Sequence, residues 1–471
     1  MMALSFLLPL TGGLVVFGLG RRTAQPVAVL SALGTLFSVL VLAGQVAREG
    51  PQGYVLGGWP APLGIELYAD GVAVFMLLVS AVVGVAVSLY ALGYFPHRPS
   101  ESWLEEDSFW PLWLMLWAAM NALYLSADLF NLYVTLELVT LAAVGLVILS
   151  GKEVSLTAGM RYLLAALAGS LFYLFGLSLV YAAFGTLHLT GLAPLLAPGA
   201  VSWLALALMT AGLMVKTALW PFHFWLPPAH ASAPAPVSAL LSALVVKVSF
   251  YLILRLWLDV FAGVLNPAAA QVLGALGATA ILWGSFQAIR QTRLKLLVAY
   301  STVAQLGYLF LLFPLGAFSA GLHHALAHAL AKAAMFMVAG AVIHACGSDE
   351  LEDIGGAARR LPLATLTFAL AGFTLLGLPP SAGYHSKELF LAAVHASGQW
   401  WWEAALRLGA LLAAVYLALA LRPLLERAGE GANFRRVPWP MTWAPLLLAL
   451  LAALFGLLPQ GTLSGLLEVG R

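Results

Sequence analysis

Residues 237–256 read Val237-Ser-Ala-Leu-Leu-Ser-Ala-Leu-Val-Val-Lys-Val-Ser-Phe-Tyr-Leu-Ile-Leu-Arg-Leu256. As a helix this stretch rises about 30 Å, the thickness of a bilayer's hydrocarbon core. Lys247 falls at its middle. A charge there costs about 2.5–3.5 kcal/mol on insertion scales. The surrounding Leu, Val, Ile and Phe return about 0.3–0.6 kcal/mol each. The segment therefore inserts with its lysine inside, at a cost. Lys216, Lys332, Lys387 and Glu137 stand in similar apolar surroundings, each in a different segment. Ionisable residues so placed mark ion or proton paths.

The rest of the chain has the same apolar character. It is 62% hydrophobic and 9% charged, whereas a soluble domain carries about 25% charged residues. Apolar runs long enough to span recur from end to end, so an all-α polytopic membrane protein is expected. A β-barrel is excluded, because its strands are short and alternate in polarity. A net charge of +2 gives no reason to expect a nucleic-acid partner. The single cysteine, Cys346, excludes an internal disulfide and a cysteine-ligated cluster within the chain, and reads as a small core residue. No cofactor is expected and no catalytic site. The first run, Met2 to Gly20, is followed by Arg21 and Arg22 without a small-residue cleavage site. It reads as a retained helix rather than a signal peptide.

About fourteen transmembrane helices are expected, near 2–20, 25–46, 70–95, 109–127, 128–150, 156–184, 200–220, 237–258, 268–288, 296–316, 319–345, 362–395, 402–425 and 439–459. The seventh runs into Trp220-Pro-Phe-His-Phe-Trp-Leu-Pro-Pro228, and the twelfth carries Gly377-Leu-Pro-Pro380. Proline removes a backbone donor and clashes with the preceding turn, so both helices break there. Unwound backbone survives at membrane depth only when buried in protein or lining a wet cavity. Paired breaks, each beside a lysine (Lys216, Lys387), point to an internal repeat around a transport site. Five helices separate them, an odd number, so the copies are inverted. The expected organisation is 1–108 for three N-terminal helices, 109–258 and 268–425 for two inverted five-helix repeats, and 439–471 for the last helix.

Loops joining an odd helix to the next hold Arg21, Arg22, Arg98, Lys152, Arg290, Arg293, Lys295, Arg359, Arg360, Arg422, Arg427, Arg435 and Arg436; the others hold only Arg48. Positive loops face the cytoplasm, which puts both termini on the outer side of a plasma membrane. Arg290, Arg293 and Lys295 read as topology determinants, and Arg255 and Arg161 as interface anchors. The tryptophans read mostly as belt or lipid-facing residues. Asp349 to Asp353 reads as a solvated acidic loop or partner surface. His223 and His230 flank the seventh-helix break, with interfacial and functional roles equally open.

Two constellations could carry chemistry. In Gly321-Leu-His-His-Ala-Leu-Ala-His-Ala-Leu-Ala-Lys332 the residues His324, His328 and Lys332 are four apart and share one helix face. Histidine exchanges protons near neutral pH, and an amine in a low-dielectric site gives its proton up more readily. A proton relay fits; so does a structural polar ladder. A zinc site lacks the further ligands or catalytic Glu it needs. Glu137, alone in an apolar helix, needs a cation such as Lys216 to stay charged. Breaking that pair would push the lysine to release its proton, which gives a switch. The alternative is a static ion pair that fixes packing. Lys247, Lys216 and Lys387 also admit a snorkelling reading, weakest for mid-span Lys247.

Several long motifs in order resemble the antiporter-like subunits shared by Mrp-type multisubunit sodium/proton antiporters, respiratory complex I and membrane-bound hydrogenases. They are Ser126-Ala-Asp-Leu-Phe-Asn-Leu-Tyr-Val-Thr-Leu-Glu137, Val215 to His230 continuing through Ala233 to Lys247, Leu294 to Tyr308, the His324/His328/Lys332 stripe, and Gly377 to Glu388. The resemblance covers about residues 70–395, and the wording from Asp128 to Val134 looks most like the D-type member of the Mrp antiporters. It implies fourteen helices with two inverted five-helix repeats. It also implies roles for Glu137, Lys216, Lys247 and Lys387 on a polar mid-membrane axis. Pro228 stands where the family usually has Asp, Arg293 where an acidic residue is common, and His385 where an aromatic is commoner.

The expected function is proton/cation translocation as one subunit of a multisubunit Mrp-type cation/proton antiporter. Protons would move along Glu137, Lys216, Lys247, His324, His328, Lys332 and Lys387. Expected partners are other membrane subunits, the lipid bilayer, protons and sodium. The main alternative is the proton-pumping subunit of a complex I-like NADH:quinone oxidoreductase or membrane-bound hydrogenase. A stand-alone solute transporter and an inert scaffold are the remaining readings.

Overall fold

The computed structural model describes residues 1–59, 64–95, 103–426, 434–458 and 465–469. Arg98 and Arg427 lie outside them, as do the side chains of Arg21 and Arg22. Among the described residues, twelve helices are long and apolar enough to cross a membrane. Two further crossings complete the order. One is the fourth helix, Trp103–Leu125. The other is the broken twelfth span, built from Pro362–Leu376 and Ala382–Ser397. The chain is thus an all-α polytopic bundle. Its one sheet among the described residues is a hairpin of β1 (Gln52–Val55) and β2 (Glu66–Ala69), with Gln52 opposite Ala69.

Burial is uneven, and this positions the site. The eighth span, Ala235–Val260, is buried along its apolar core, and the tenth (Leu294–Leu315) and eleventh (Phe318–Cys346) nearly so. The first, second, ninth and thirteenth spans expose leucines and phenylalanines such as Phe17, Phe37, Phe286 and Leu411. These faces suit lipid, where no water has to be displaced to hold them. The lysines on the central spans therefore lie inside protein, not at its rim.

The seventh span is helical over Ala200–Thr217 and ends at Ala218, whose φ of +56° is left-handed. A left-handed non-glycine residue costs of order 1–2 kcal/mol, so surrounding packing holds the break. Helix resumes at Leu226–Ser232. The break contains a cis Trp220-Pro221 bond. The twelfth span stops at Gly377, φ +76°, and restarts after a cis Pro379-Pro380 bond. A Cβ on Gly377 would stand 2.5 Å from Lys387 Cδ, so this position also gives Lys387 its passage.

Particular residues depart from the sequence readings or add to them. Trp110, Trp113, Trp117 and Trp225 are fully buried. Trp113 and Trp117 stack with ring centroids 5.0 Å apart, and Trp225 lies 4.2 Å from the Tyr162 ring. They serve as packing rather than as a belt. Arg255, read as an interface anchor, also has specific partners. It grips Asp70 with both terminal nitrogens at 2.6 Å and Asp259 at 2.8 Å. Asp70 in turn caps the third helix through Ala73 N–H. Lys295 is buried, with its ammonium 2.5 Å from the Ala233 carbonyl below the seventh-span break. The acidic loop is tied down as well as solvated: Asp349 accepts from Arg293 at 3.0 Å, and its carbonyl accepts the Leu294 N–H at 2.7 Å.

Candidate functional site

The first cluster forms where the fifth, sixth and seventh spans meet. Asp128 caps the fifth helix by accepting from Phe130 and Asn131 N–H, and Glu137 follows about two and a half turns along. The sixth and seventh spans approach closely because both carry glycine at the contact. A Cβ on Gly212 would fall 2.2 Å from the Gly169 carbonyl oxygen. That approach brings Ser170 and Lys216 to the same carboxylate. Lys216 Nζ lies 2.9 Å from Glu137 Oε1 and 2.8 Å from Thr140 Oγ1, and Ser170 Oγ donates to the same Oε1. The Lys216 side chain is 5% exposed and that of Glu137 19%, so a charged pair there is stronger than one in water.

The second cluster is deeper. Lys247 is fully buried, and its Nζ stands 2.6 Å from His328 Nδ1 and 2.9 Å from the Ser242 carbonyl. That carbonyl is free because the eighth span contains a π-turn over Leu241–Val245. Val246 N–H reaches back to Leu241 O rather than to Ser242 O, its α-helical partner. Such π-bulges recur at functional sites. Ser242 Oγ pairs with Thr302 Oγ1 at 2.9 Å. Next to Thr302, Ser301 accepts from Lys332 Nζ, which also donates to Val298 O at 3.2 Å.

A third group closes the row. His324 Nε2 lies 3.1 Å from Gln305 O, and its ring centroid is 5.1 Å from that of Tyr308 and 6.3 Å from that of His328. Lys387 Nζ sits 5.4 Å over the Tyr308 ring and donates to the Leu375 and Leu376 carbonyls at 3.1 and 2.7 Å. These are last-turn carbonyls that the break leaves without helical donors.

The residues singled out in the sequence therefore divide. Glu137 and Lys216 touch, as do Lys247 and His328. His324, Lys332 and Lys387 reach hydroxyls, carbonyls or rings rather than another of the charged groups. A hydroxyl pair, Thr217 Oγ1 to Ser249 Oγ at 2.9 Å, joins the seventh and eighth spans, which carry Lys216 and Lys247. Among the described residues, Lys216 is the one of these lysines with a carboxylate in salt-bridge reach. An ammonium and an imidazole at hydrogen-bond distance can share one proton, and a row of them can pass it on.

The sequence leaves the role of His230 open. It is fully buried and stacked 4.5 Å from the Phe336 ring. Its position just after two prolines is the available signal. No group of three or more His, Cys, Asp or Glu suited to a metal occurs among the described residues.

The family model described as NADH:quinone oxidoreductase/Mrp antiporter, TM matches residues 126–413. The N-type NADH-quinone oxidoreductase subunit of Desulforudis audaxviator is 37% identical over 434 residues, covering 90% of this chain and 83% of that protein. The D-type Na(+)/H(+) antiporter subunit of Alkalihalophilus pseudofirmus is 28% identical over 432 residues, covering 90% and 84%. A chain in the structure of the membrane-bound sulfane sulfur reductase, an archaeal respiratory membrane complex, superposes with a TM-score of 0.89 at 29% identity, covering 99% of this chain and 96% of that one. The chain belongs to the NADH:quinone oxidoreductase/Mrp antiporter transmembrane family.

Proposed function

We propose that this chain is a proton-translocating subunit of a multisubunit membrane complex. Protons move along Glu137, Lys216, Lys247, His328, His324 and Lys387, with Lys332 as a side store on Ser301. The observation that carries the reading is the buried contact between Lys247 and His328. Two basic groups facing each other without an anion can hold one proton comfortably and two only at a cost, so an arriving proton drives one onward.

Glu137 sets when that happens. A unit-charge pair about 4 Å apart is worth about 4 kcal/mol at an effective dielectric near 20. One charge crossing 100 mV is worth about 2.3 kcal/mol. Separating Glu137 from Lys216 is therefore large enough to gate movement driven by a membrane potential. The hydroxyls of Ser170 and Thr140 hold the closed arrangement.

Two driving reactions fit this module. In a cation/proton antiporter, sodium or another cation moves against the protons, and the likeness to the Alkalihalophilus antiporter protein supports this. In a quinone-reducing or related respiratory complex, a redox partner elsewhere drives it, and the 37% identity to the Desulforudis oxidoreductase protein supports that. The partners in either case are further membrane subunits. The positive loops support a plasma-membrane orientation with both termini outside. The two similarly built breaks support the paired repeats at 109–258 and 268–425.

Everted vesicles containing the complex, with Glu137→Ala and Lys216→Ala introduced separately, test the reading. Loss of proton movement with intact assembly is expected. Unchanged movement in both variants would leave the pair a packing device. Identification of the proteins that purify with the chain separates the two driving reactions.

A further inference from the structure

The basic residues that orient the chain are not spread evenly over its positive end. Arg360, Arg435 and Arg436 line one cavity of about 330 Å³. It lies where the twelfth and fourteenth spans begin, at Pro362 and Pro440. These two spans pack on each other. Arg435 N–H donates to the Ala345 carbonyl, in the last turn of the eleventh span, at 2.9 Å. Two distant stretches of chain thus bring three arginines to one place.

The cavity is built for an anion. Among the described residues, no Asp or Glu lines it. The arginines with a carboxylate in reach among those residues are Arg255, Arg293, Arg407 and Arg422. Arg360, Arg435 and Arg436 are exposed and have no such partner there. Neither helix start has a side-chain cap, and the first turn of the twelfth span lines the cavity through Leu363 and Ala364. Free first-turn N–H groups and the positive end of the helix dipole favour negative charge. A guanidinium meets a phosphate with two parallel N–H donors.

Much of the remaining wall is apolar, made by Leu363, Phe434 and Val437. Trp439 and Trp443, 72% and 48% exposed, stand at the start of the fourteenth span beside it. Exposed indoles mark the boundary between membrane and water. A small soluble anion would leave the apolar wall bare; a phosphodiester carrying hydrocarbon chains meets both parts.

We propose that this cavity binds an acidic phospholipid, its phosphodiester held by Arg360, Arg435 and Arg436 and its chains lying along the apolar wall. Basic pockets between spans on the cytoplasmic side suit such headgroups. Binding there needs none of the groups in the proton row.

The full chain in mild detergent, titrated with phosphatidylglycerol and read by native mass spectrometry, tests this. One phosphatidylglycerol should stay bound at concentrations where phosphatidylcholine does not. Arg360→Gln, Arg435→Gln and Arg436→Gln should each weaken it about fivefold, the worth of one charge near an anionic surface. Leu363→Trp fills the cavity, leaves every charge in place and should also weaken it. Arg48→Gln, in the opposite set of loops, should not. Inorganic phosphate at equal concentration should fail to displace the lipid. Equal retention of phosphatidylcholine, unchanged retention in the triple variant Arg360→Gln/Arg435→Gln/Arg436→Gln, or an equal loss in Arg48→Gln would overturn the site. Displacement by inorganic phosphate at equal concentration would overturn the lipid as its occupant and leave a soluble-anion site.

Discussion

Lys247 and His328 face each other across 2.6 Å at the centre of the molecule, from two spans that are almost wholly buried. Each is placed by a separate feature. A π-turn offers Lys247 the Ser242 carbonyl, and helical spacing puts His328 on the face it shares with His324 and Lys332. If the two act as one proton-sharing unit, their substitutions are not additive. Lys247→Ala, His328→Ala and the double variant should lower proton flux by similar factors, about tenfold or more each. Flux in reconstituted vesicles checks this; independent, multiplying losses would separate the two groups.

Glu137 and Lys216 stabilise each other, so removing one leaves a lone charge in the bundle. Breaking a buried pair costs about 3–5 kcal/mol, while removing both partners costs much less; the partial exposure of Glu137 trims the first figure. The double variant Glu137→Ala/Lys216→Ala should therefore melt at a higher temperature than Lys216 left alone by Glu137→Ala. Thermal unfolding in nanodiscs reads the order directly.

The close approach at Gly169 and Gly212 holds the first cluster together. Gly212→Val forces a side chain into backbone and must move the sixth span from the seventh. Lower flux is expected, since Ser170 and Lys216 then no longer meet on Glu137. Gly18, where an added Cβ meets nothing within 4 Å, is the control: Gly18→Ala should leave flux unchanged.

Arg255 makes a different prediction. Its fork grips both oxygens of Asp70, a geometry lysine cannot reproduce. Arg255→Lys should lose most of what Arg255→Ala loses, of order 3–5 kcal/mol for a buried pair. Both should act on stability of that end of the bundle while leaving proton flux through assembled protein near normal. Melting temperature and flux measured on the same preparations distinguish this from a place in the proton row.

These positions are not equally legible in the sequence. Lys247, Lys332 and Glu137 announce themselves because an ionisable group inside a long apolar run carries a visible cost. The breaks at Pro221 and Pro379 are equally open, since proline acts on its own helix. The grip of Arg255 on Asp70 spans 185 positions, and a partner on another helix leaves no local pattern. The π-turn beside Lys247 is silent for a related reason: Leu241-Ser-Ala-Leu-Val245 suits α and π geometry alike. Buried tryptophans escape because an indole facing lipid and one facing another helix answer to the same hydropathy. Lys295 reads as a topology charge since its loop is basic, yet its side chain turns inward to Ala233.

Proton flux driven by a fixed membrane potential through the reconstituted complex, comparing wild type with Lys247→Leu, decides whether protons pass through the buried lysine. Leucine suits the buried span and keeps assembly, which co-purification of the partner subunits verifies. Flux through Lys247→Leu is expected to fall to background. Wild-type flux in fully assembled Lys247→Leu would contradict it.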